Sequence, residues 1–383
     1  ITTHVSQSLG KSRPAACGRI TWQGIYCGAF FGWLCLIYYP TAGVVFRTVF
    51  PSHSPALIAM ETTYFQISLL GVAPLMVSTV IGNFLTGLGR TRTLMASAFG
   101  GVFANIGFSW ALVFGKMGMP AMGFPGIAWG TLLATVFQSL VLFAIFLGPR
   151  RMREEFGTAQ AGFSKNRAKR LVRLGMPAGL HGCMDYLAWG VVLTWLISFS
   201  GEAHIAAQTI MVRCITLSFL PAEGLSSALT TLVGKAVGAR DYLLARRYAR
   251  AGFTINAIWM SVMALLYVCF GEFIVRLFTD LPEVVDAGKT AILWVAAFQF
   301  FDAMNVTYSN ALQGAGDVAW PSAVNFTISI VVLLGGGLAM VTFFPSTASS
   351  GVWAMATLYV IAHGILYSLR WKSRAWQNPK FLA

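Results

Sequence analysis

Acidic side chains are scarce in this sequence: Asp and Glu together number 13 in 383 residues, and charged residues of either sign make up only 10%. An ordinary soluble domain carries about a quarter charged residues. A water-soluble globule could not cover its apolar surface with so little charge, and that class is excluded. The six cysteines, Cys17, Cys27, Cys35, Cys183, Cys214 and Cys269, show no CxxC and no Cys/His spacing, which removes a disulfide framework and a zinc site. No stretch of about ten residues alternates apolar and polar at period two, so an outer-membrane barrel is excluded as well. An initiator Met and a signal peptide are also missing. The chain opens on Ile1, Thr2 and Thr3, and its true start is expected further upstream.

What is present is apolar. Hydrophobic residues supply 56% of the chain, and its mean hydropathy is +0.68. Stretches of about 20 apolar residues recur, the length a helix needs at 1.5 Å per residue to cross a hydrocarbon core of about 30 Å. Ten spans are predicted: approximately Trp22 to Tyr39, Tyr64 to Leu88, Leu94 to Phe114, Ile127 to Leu147, Met176 to Phe199, Ala203 to Val237, Ala251 to Phe270, Ile292 to Leu312, Trp320 to Phe344 and Val352 to Leu369. With a barrel excluded, only helices satisfy every backbone group in lipid. The expected fold class is therefore all-α, a polytopic membrane protein.

The net charge of +14 invites a nucleic-acid reading, which the distribution of the basic residues rejects. They cluster in alternate connections. The first clusters are Lys11, Arg13 and Arg19, then Arg90 and Arg92, then Arg150, Arg151, Arg153, Lys165, Arg167, Lys169, Arg170 and Arg173. Lys235, Arg240, Arg246, Arg247 and Arg250 follow, and Arg370, Lys372, Arg374 and Lys380 end the series. The intervening loops hold only Arg47, Lys116, Arg276 and Lys289, and the one around Glu272, Asp280, Glu283 and Asp286 is acidic. Basic loops stay in the cytoplasm, so the central linker and the C-terminus are both expected inside, with the chain in the cell (inner or plasma) membrane.

Two halves of the sequence match. Ile1 to Gly10 aligns with Leu229 to Gly238 at an offset of 228, pairing Thr2 with Thr230, Thr3 with Thr231, Val5 with Val233 and Gly10 with Gly238. Asn83 to Gly89 aligns with Asn310 to Gly316 at an offset of 227 as N-x-L-x-G-x-G in both copies, and Gly126 aligns with Gly351 at 225. Matches in order at nearly constant offset mark a duplication. The second half contains six spans and the first four plus a stub, so two pseudo-symmetric six-helix bundles are expected, the first N-terminally truncated here, with twelve spans in the complete protein. An even number of spans per repeat makes the repeats parallel, a design that places alternating access in the cleft between bundles. The expected division is an N-terminal lobe over 1–147, a basic cytoplasmic linker over 148–170, and a C-terminal lobe over 171–383.

Ionisable side chains at membrane depth are costly, and each is a functional candidate by default. Asp302 shares one predicted helix face with Gln299, Asn305, Ser309 and Gln313, spaced by threes and fours. Asp185 follows His181 by four residues, on the same face and two turns after Pro177. A carboxylate balanced between apolar burial and a nearby cation can take up and release H+, or hold Na+ together with neighbouring oxygens. Arg213 and Glu223 flank Pro221 within one span; each is expected either to pair across helices or to face a wet cleft, with a purely structural role as the alternative. Asn83 is read as a packing residue. Gly24, Gly28 and Gly32 form a small-xxx-small stripe for close helix contact, and Gly335 to Gly337 mark an expected bend.

These residues resemble the multidrug and toxic compound extrusion (MATE) family, its NorM-like branch in particular, within the multidrug/oligosaccharidyl-lipid/polysaccharide flippase superfamily. The likeness covers nearly the whole chain. Phe298 to Asp317, FQFFDAMNVTYSNALQGAGD, resembles the family's tenth helix, in which a Gln and an Asp three residues later precede a Gly-x-Gly-Asp turn. AAQTIMVR, leading to LPAEGLSSALTTLVGKAVGARD, resembles the eighth helix and its following loop, and RLGMPAGLHGCMD the start of the seventh. The resemblance implies that Asp302 is the acidic residue of a cation site, that Asp185 is the seventh-helix carboxylate, and that Gln208 is the eighth-helix glutamine. Gln313 stands where the family usually has a basic residue, and Glu223 where it has an aromatic or apolar one.

The function expected from both lines is cation-coupled antiport, with H+ or Na+ entering as amphipathic, often cationic, small molecules leave by alternating access. Asp302, Asp185, Gln299 and Asn305 are expected to hold the ion. Gln208, Arg213, Glu223 and His181 are expected at the substrate cleft. No catalytic residue, no resident metal and no cofactor is expected, beyond Na+ at Asp302 and Asp185 if that is the coupling ion. The partners are the bilayer and the substrate, with no nucleic acid, and the protein is expected to be monomeric. A lipid-linked precursor flippase is the alternative, but it should line its cavity with cations, and only Arg213 lies in a span core. An intramembrane enzyme would have to use His181 with Asp185.

Overall fold

A computed structural model describes residues 1–51 and 53–378; Lys380, counted above among the basic residues, lies outside them. Among the described residues the regular structure is entirely helical. The helices are α1 (Thr2–Gly10), α2 (Ala15–Leu34), α3 (Ala42–Val49), α4 (Pro55–Leu70), α5 (Val72–Leu88), α6 (Thr91–Phe114), α7 (Phe124–Leu147) and α8 (Arg150–Glu154). There follow α9 (Lys165–Tyr186), α10 (Leu193–Ser198), α11 (Glu202–Gly238), α12 (Tyr242–Arg276), α13 (Pro282–Ala315), α14 (Ala319–Ile328), α15 (Gly337–Phe343) and α16 (Ala348–Lys372). Among the described residues, nine helical stretches are long and apolar enough to cross a bilayer, and a tenth forms if the bent pair α4 and α5 counts as one.

That bent pair corrects the predicted second span. Tyr64 to Leu88 is not one straight helix: α4 begins at Pro55, Gly71 interrupts it, and α5 continues at 46°. Ser54 fixes the start of α4, accepting a hydrogen bond from the Leu57 amide at 3.3 Å with Pro55 in the first turn. The expected bend at Gly335 to Gly337 takes another form, a π-helical segment over Ser329–Gly336. A second π-helical segment, Leu187–Val192, joins α9 to α10.

The chain divides into two compact units, Ile1–Leu171 and Val172–Ala383. In the first, the Gly24/Gly28/Gly32 stripe lets α2 pack on α5 so closely that a Cβ at Gly32 would fall 2.5 Å from the Ala73 Cα. The connector expected over 148–170 is structured. It forms α8, enters α9 as early as Lys165, and between them is tied to α2. Trp22 Nε1 donates to the Thr158 carbonyl at 2.7 Å, Gln23 Nε2 to that of Gly162 at 2.9 Å, and the Ser164 amide donates back to Gln23 Oε1 at 2.9 Å. The Tyr26 hydroxyl donates to the Ala161 carbonyl.

The duplication is written into local geometry. Thr2 Oγ1 donates to Asn83 at its backbone carbonyl (3.2 Å) and Oδ1 (3.4 Å); Thr230 does the same to Asn310, at 3.0 and 2.9 Å. Gly89 ends α5 at φ +79° and Gly316 ends α13 at φ +91°, left-handed caps that glycine adopts without a Cβ penalty. Ser12 and Arg240, 228 residues apart, both take positive φ after matching helices. The Gly87 and Gly314 positions sit where helices cross: a Cβ at Gly314 would stand 2.5 Å from the Thr230 carbonyl oxygen. Gly314→Val should therefore cost on the order of 1–3 kcal/mol by overpacking. Thermal unfolding of the purified variant in detergent checks this, and an unchanged midpoint would contradict so close a crossing.

Candidate functional site

The second unit contains a half-open cavity of about 310 Å³, with the Asp185 side chain on its wall 46% exposed. Helix α9 contributes His181 and Asp185, one turn apart on one face; α11 contributes Phe219 and Glu223, on either side of Pro221; and α13 contributes Asn305, Ser309 and Gln313, spaced by fours. Asn310, Asp317 and Pro321 complete much of the remaining wall. The amphipathic spacing read from the sequence is thus what turns these groups toward a common space.

Each carboxylate has its own donors. Asp185 Oδ1 accepts from Asn325 Nδ2 at 2.9 Å and from the Tyr359 hydroxyl at 3.0 Å, while its Oδ2 lies 3.4 Å from His181 Nε2. Asp302 is only 7% exposed, and its Oδ1 accepts from Asn305 Nδ2 at 3.1 Å. Glu223 Oε2 accepts from Asn310 Nδ2 at 3.2 Å, and the Oδ1 of the same amide accepts from Thr230. Asp185, Glu223 and Asn305 share one wall, and the hydrogen bond from Asn305 ties Asp302 to it. Asp317, 1% exposed, is paired with Arg370 at 2.8 Å, and the Arg370 guanidinium lies 5.2 Å from the centre of the Trp320 ring.

Of the residues expected to hold an ion, Asp185 and Asn305 line the cavity together with Glu223 and His181, while Asp302 is not among the described lining residues and meets that wall through its hydrogen bond with Asn305. Gln299 takes another role: fully buried, it donates from Nε2 to Ser218 Oγ at 3.0 Å. Gln208 donates to Thr194 Oγ1 at 2.9 Å. Arg213 is exposed and absent from the described cavity wall. Asn325, Tyr359 and Asn310 were not singled out by sequence reasoning as site residues, although the pairs Asn325/Ser329 and Tyr359/His363 repeat the i,i+4 polar spacing that flagged Asp185. Carboxylate, amide and hydroxyl oxygens are hard donors suited to H+ or an alkali cation. Among the described residues, no three His, Cys, Asp or Glu side chains converge as a metal centre would require.

Comparison with known proteins fits this arrangement. Residues 1–111 and 177–344 match the MatE family model. The chain belongs to the MatE family. A curated relative, the probable multidrug resistance protein NorM of Thermotoga maritima, is 26% identical over 389 residues, covering 100% of this chain and 81% of the relative. The fold is similar to that of a MATE protein crystallised in the bent conformation, at a TM-score of 0.88, 18% identity, and coverage of 97% of this chain and 81% of that one. It is also similar to the eukaryotic MATE transporter AtDTX14, at a TM-score of 0.84, 16% identity, and coverage of 100% and 83%. As a MatE protein the chain is a multi-span membrane transporter and not an enzyme, so the reading of His181 and Asp185 as a catalytic pair falls away.

Proposed function

We propose that this MatE protein is a cation-coupled antiporter that exports amphipathic, often cationic, small molecules, with H+ or Na+ as the coupling ion. The observation that carries the proposal is the pair Asp185 and Glu223 on the wall of a cavity in the membrane-spanning part of the second unit, with Asp302 bonded to Asn305 of the same wall and His181 the one basic side chain among the described lining residues. Unbalanced negative charge at that depth is costly unless a cation occupies it. A cation entering down the membrane potential releases about 2.3 kcal/mol per charge per 100 mV. For that energy to move substrate, the ion must bind one conformation more tightly than the other. Asp185 and Asp302 are the ion ligands in this reading, with Asn305 positioning Asp302 and Glu223 facing the same space. The multidrug name of the Thermotoga maritima relative and the cavity's negative character both favour cationic substrates over the anionic precursors of a flippase. The basic linker and the C-terminal segment lie on the cytoplasmic side, by their charge.

The test is dye transport in proteoliposomes of the full-length protein, with Na+ and pH gradients imposed separately. One gradient is expected to drive a fluorescent cationic dye across the membrane and the other to leave it unmoved. Dye movement that ignores both gradients would overturn the coupling.

A further inference from the structure

The groups that hold Asp185 come from two other helices, and they leave only one proton free to choose. Asn325 on α14 is fully buried, and every hydrogen-bonding position of its amide is occupied. Its Nδ2 donates to Asp185 Oδ1 at 2.9 Å and to the His181 carbonyl at 3.1 Å, and its Oδ1 accepts from Ser329 Oγ at 3.1 Å and faces the Tyr359 hydroxyl at 3.1 Å. An amide so committed cannot flip without breaking four contacts. Tyr359 on α16 is 2% exposed, its ring packed edge-on to His363 at 4.3 Å and to Trp189 at 6.2 Å. The ring is therefore held, and only the hydroxyl proton can turn. That hydroxyl stands 3.0 Å from Asp185 Oδ1 and 3.1 Å from Asn325 Oδ1, yet it has a single proton to donate.

We propose that Tyr359 is a positioning residue for Asp185 whose hydroxyl proton points to the empty, anionic carboxylate and turns to Asn325 Oδ1 when Asp185 takes up its cation. The inference rests on the reading of Asp185 as a coupling carboxylate. An anionic Asp185 draws the proton, because hydrogen bonds to a charged acceptor are the stronger ones. When H+ occupies Asp185, the carboxyl O–H donates to the Tyr359 oxygen. When Na+ occupies it, the same oxygen lone pair turns toward the cation. In either case the hydroxyl proton is released to Asn325, so the switch works for both candidate ions. The two ends of this triangle are wired to the two π-helical segments: Ser329, bonded to Asn325, begins Ser329–Gly336, and Trp189, packed on Tyr359, lies in Leu187–Val192. Irregular turns of this kind recur at functional sites. Occupancy of Asp185 thereby reaches the helices most able to change register.

The charged and titratable groups acting in this neighbourhood are His181 on α9, Glu223 on α11, Asp302 on α13, and His363 and Tyr367 on α16. The test variant leaves all of them in place. Tyr359→Phe keeps the ring and removes the hydroxyl, so the bare carboxylate loses a donor that competes with the cation. The expected result in proteoliposomes is a split: the cation concentration for half-maximal transport falls about three- to tenfold, because the empty state loses a hydrogen bond to a charged acceptor and the occupied state loses weaker ones, while maximal turnover falls because release is slowed. A lower turnover with unchanged half-saturation would mean that Tyr359 is only structural, and would overturn the proposal. Thermal melting of the variant in detergent, run alongside, separates loss of fold from loss of coupling. Asp185→Asn serves as the control for the underlying reading. If it leaves cation dependence intact, the coupling role of Asp185 fails first; if it abolishes that dependence while Tyr359→Phe shifts nothing, only the switch fails.

Discussion

Replacing Asp185 and Asp302 together by Asn is expected to abolish gradient-driven efflux. Asn is nearly isosteric with Asp and removes only the charge. At position 185 its carbonyl oxygen can still accept from Asn325 and Tyr359, and at position 302 from Asn305, so the packing of α9 and α13 should hold. What disappears is the charge that makes a cation welcome in an otherwise costly place. With no differential affinity for the ion between two conformations, a gradient has nothing to act on. Dye efflux from proteoliposomes should fall to the level seen without any gradient, with the protein still monodisperse on size exclusion. Efflux that remained gradient-driven in the double variant would remove both residues from the coupling site.

The second large effect should come from a residue that touches neither ion nor substrate. Arg370→Ala strips the partner from Asp317, which is 1% exposed and 2.8 Å from the guanidinium. A buried charge left without its partner costs roughly 3–5 kcal/mol, which in a marginally stable protein is a large share of the total. Asp317→Ala should cost less, because Arg370 keeps 22% side-chain exposure and the Trp320 face beneath it. Removing both residues should cost less than removing Arg370 alone. Thermal melting of the three variants in detergent reads this order directly. If Arg370→Ala proved the mildest, the ion pair would not be holding that corner of the cavity.

The spans and the duplication could be read from the sequence because both rest on patterns that need no partner. Hydrophobic length sets a span, and the Thr2/Thr230 and Asn83/Asn310 matches turned out to be the same hydrogen bond made twice. Asp185, Asp302 and Glu223 were legible because an acid at membrane depth stands out chemically. The remainder depended on three-dimensional neighbours. Tyr359 and Asn325 are 174 and 140 residues from Asp185, and a Tyr or Asn in a span is unremarkable until its partner is known. Gln299 lies on the same stripe as Asp302, but Ser218 on α11 claims its amide, a competition that helical spacing cannot reveal. The interruption at Gly71 and the two π-helical segments likewise depend on what packs beside them.

The π-helical segments also bear on how this chain tolerates changes in length. A π turn accommodates about one residue more than the α turn it replaces. Losing a single residue inside Leu187–Val192 or Ser329–Gly336 would tighten the coil to an ordinary α-helix and leave the faces before and after it in phase. The same loss in the middle of α12 or α13 would turn every later side chain by about 100° and face polar groups into lipid. Single-residue deletions are therefore best accommodated at Leu187–Val192 and Ser329–Gly336, the stretches in contact with Tyr359 and Asn325, where the cost falls on the switch while the fold is spared.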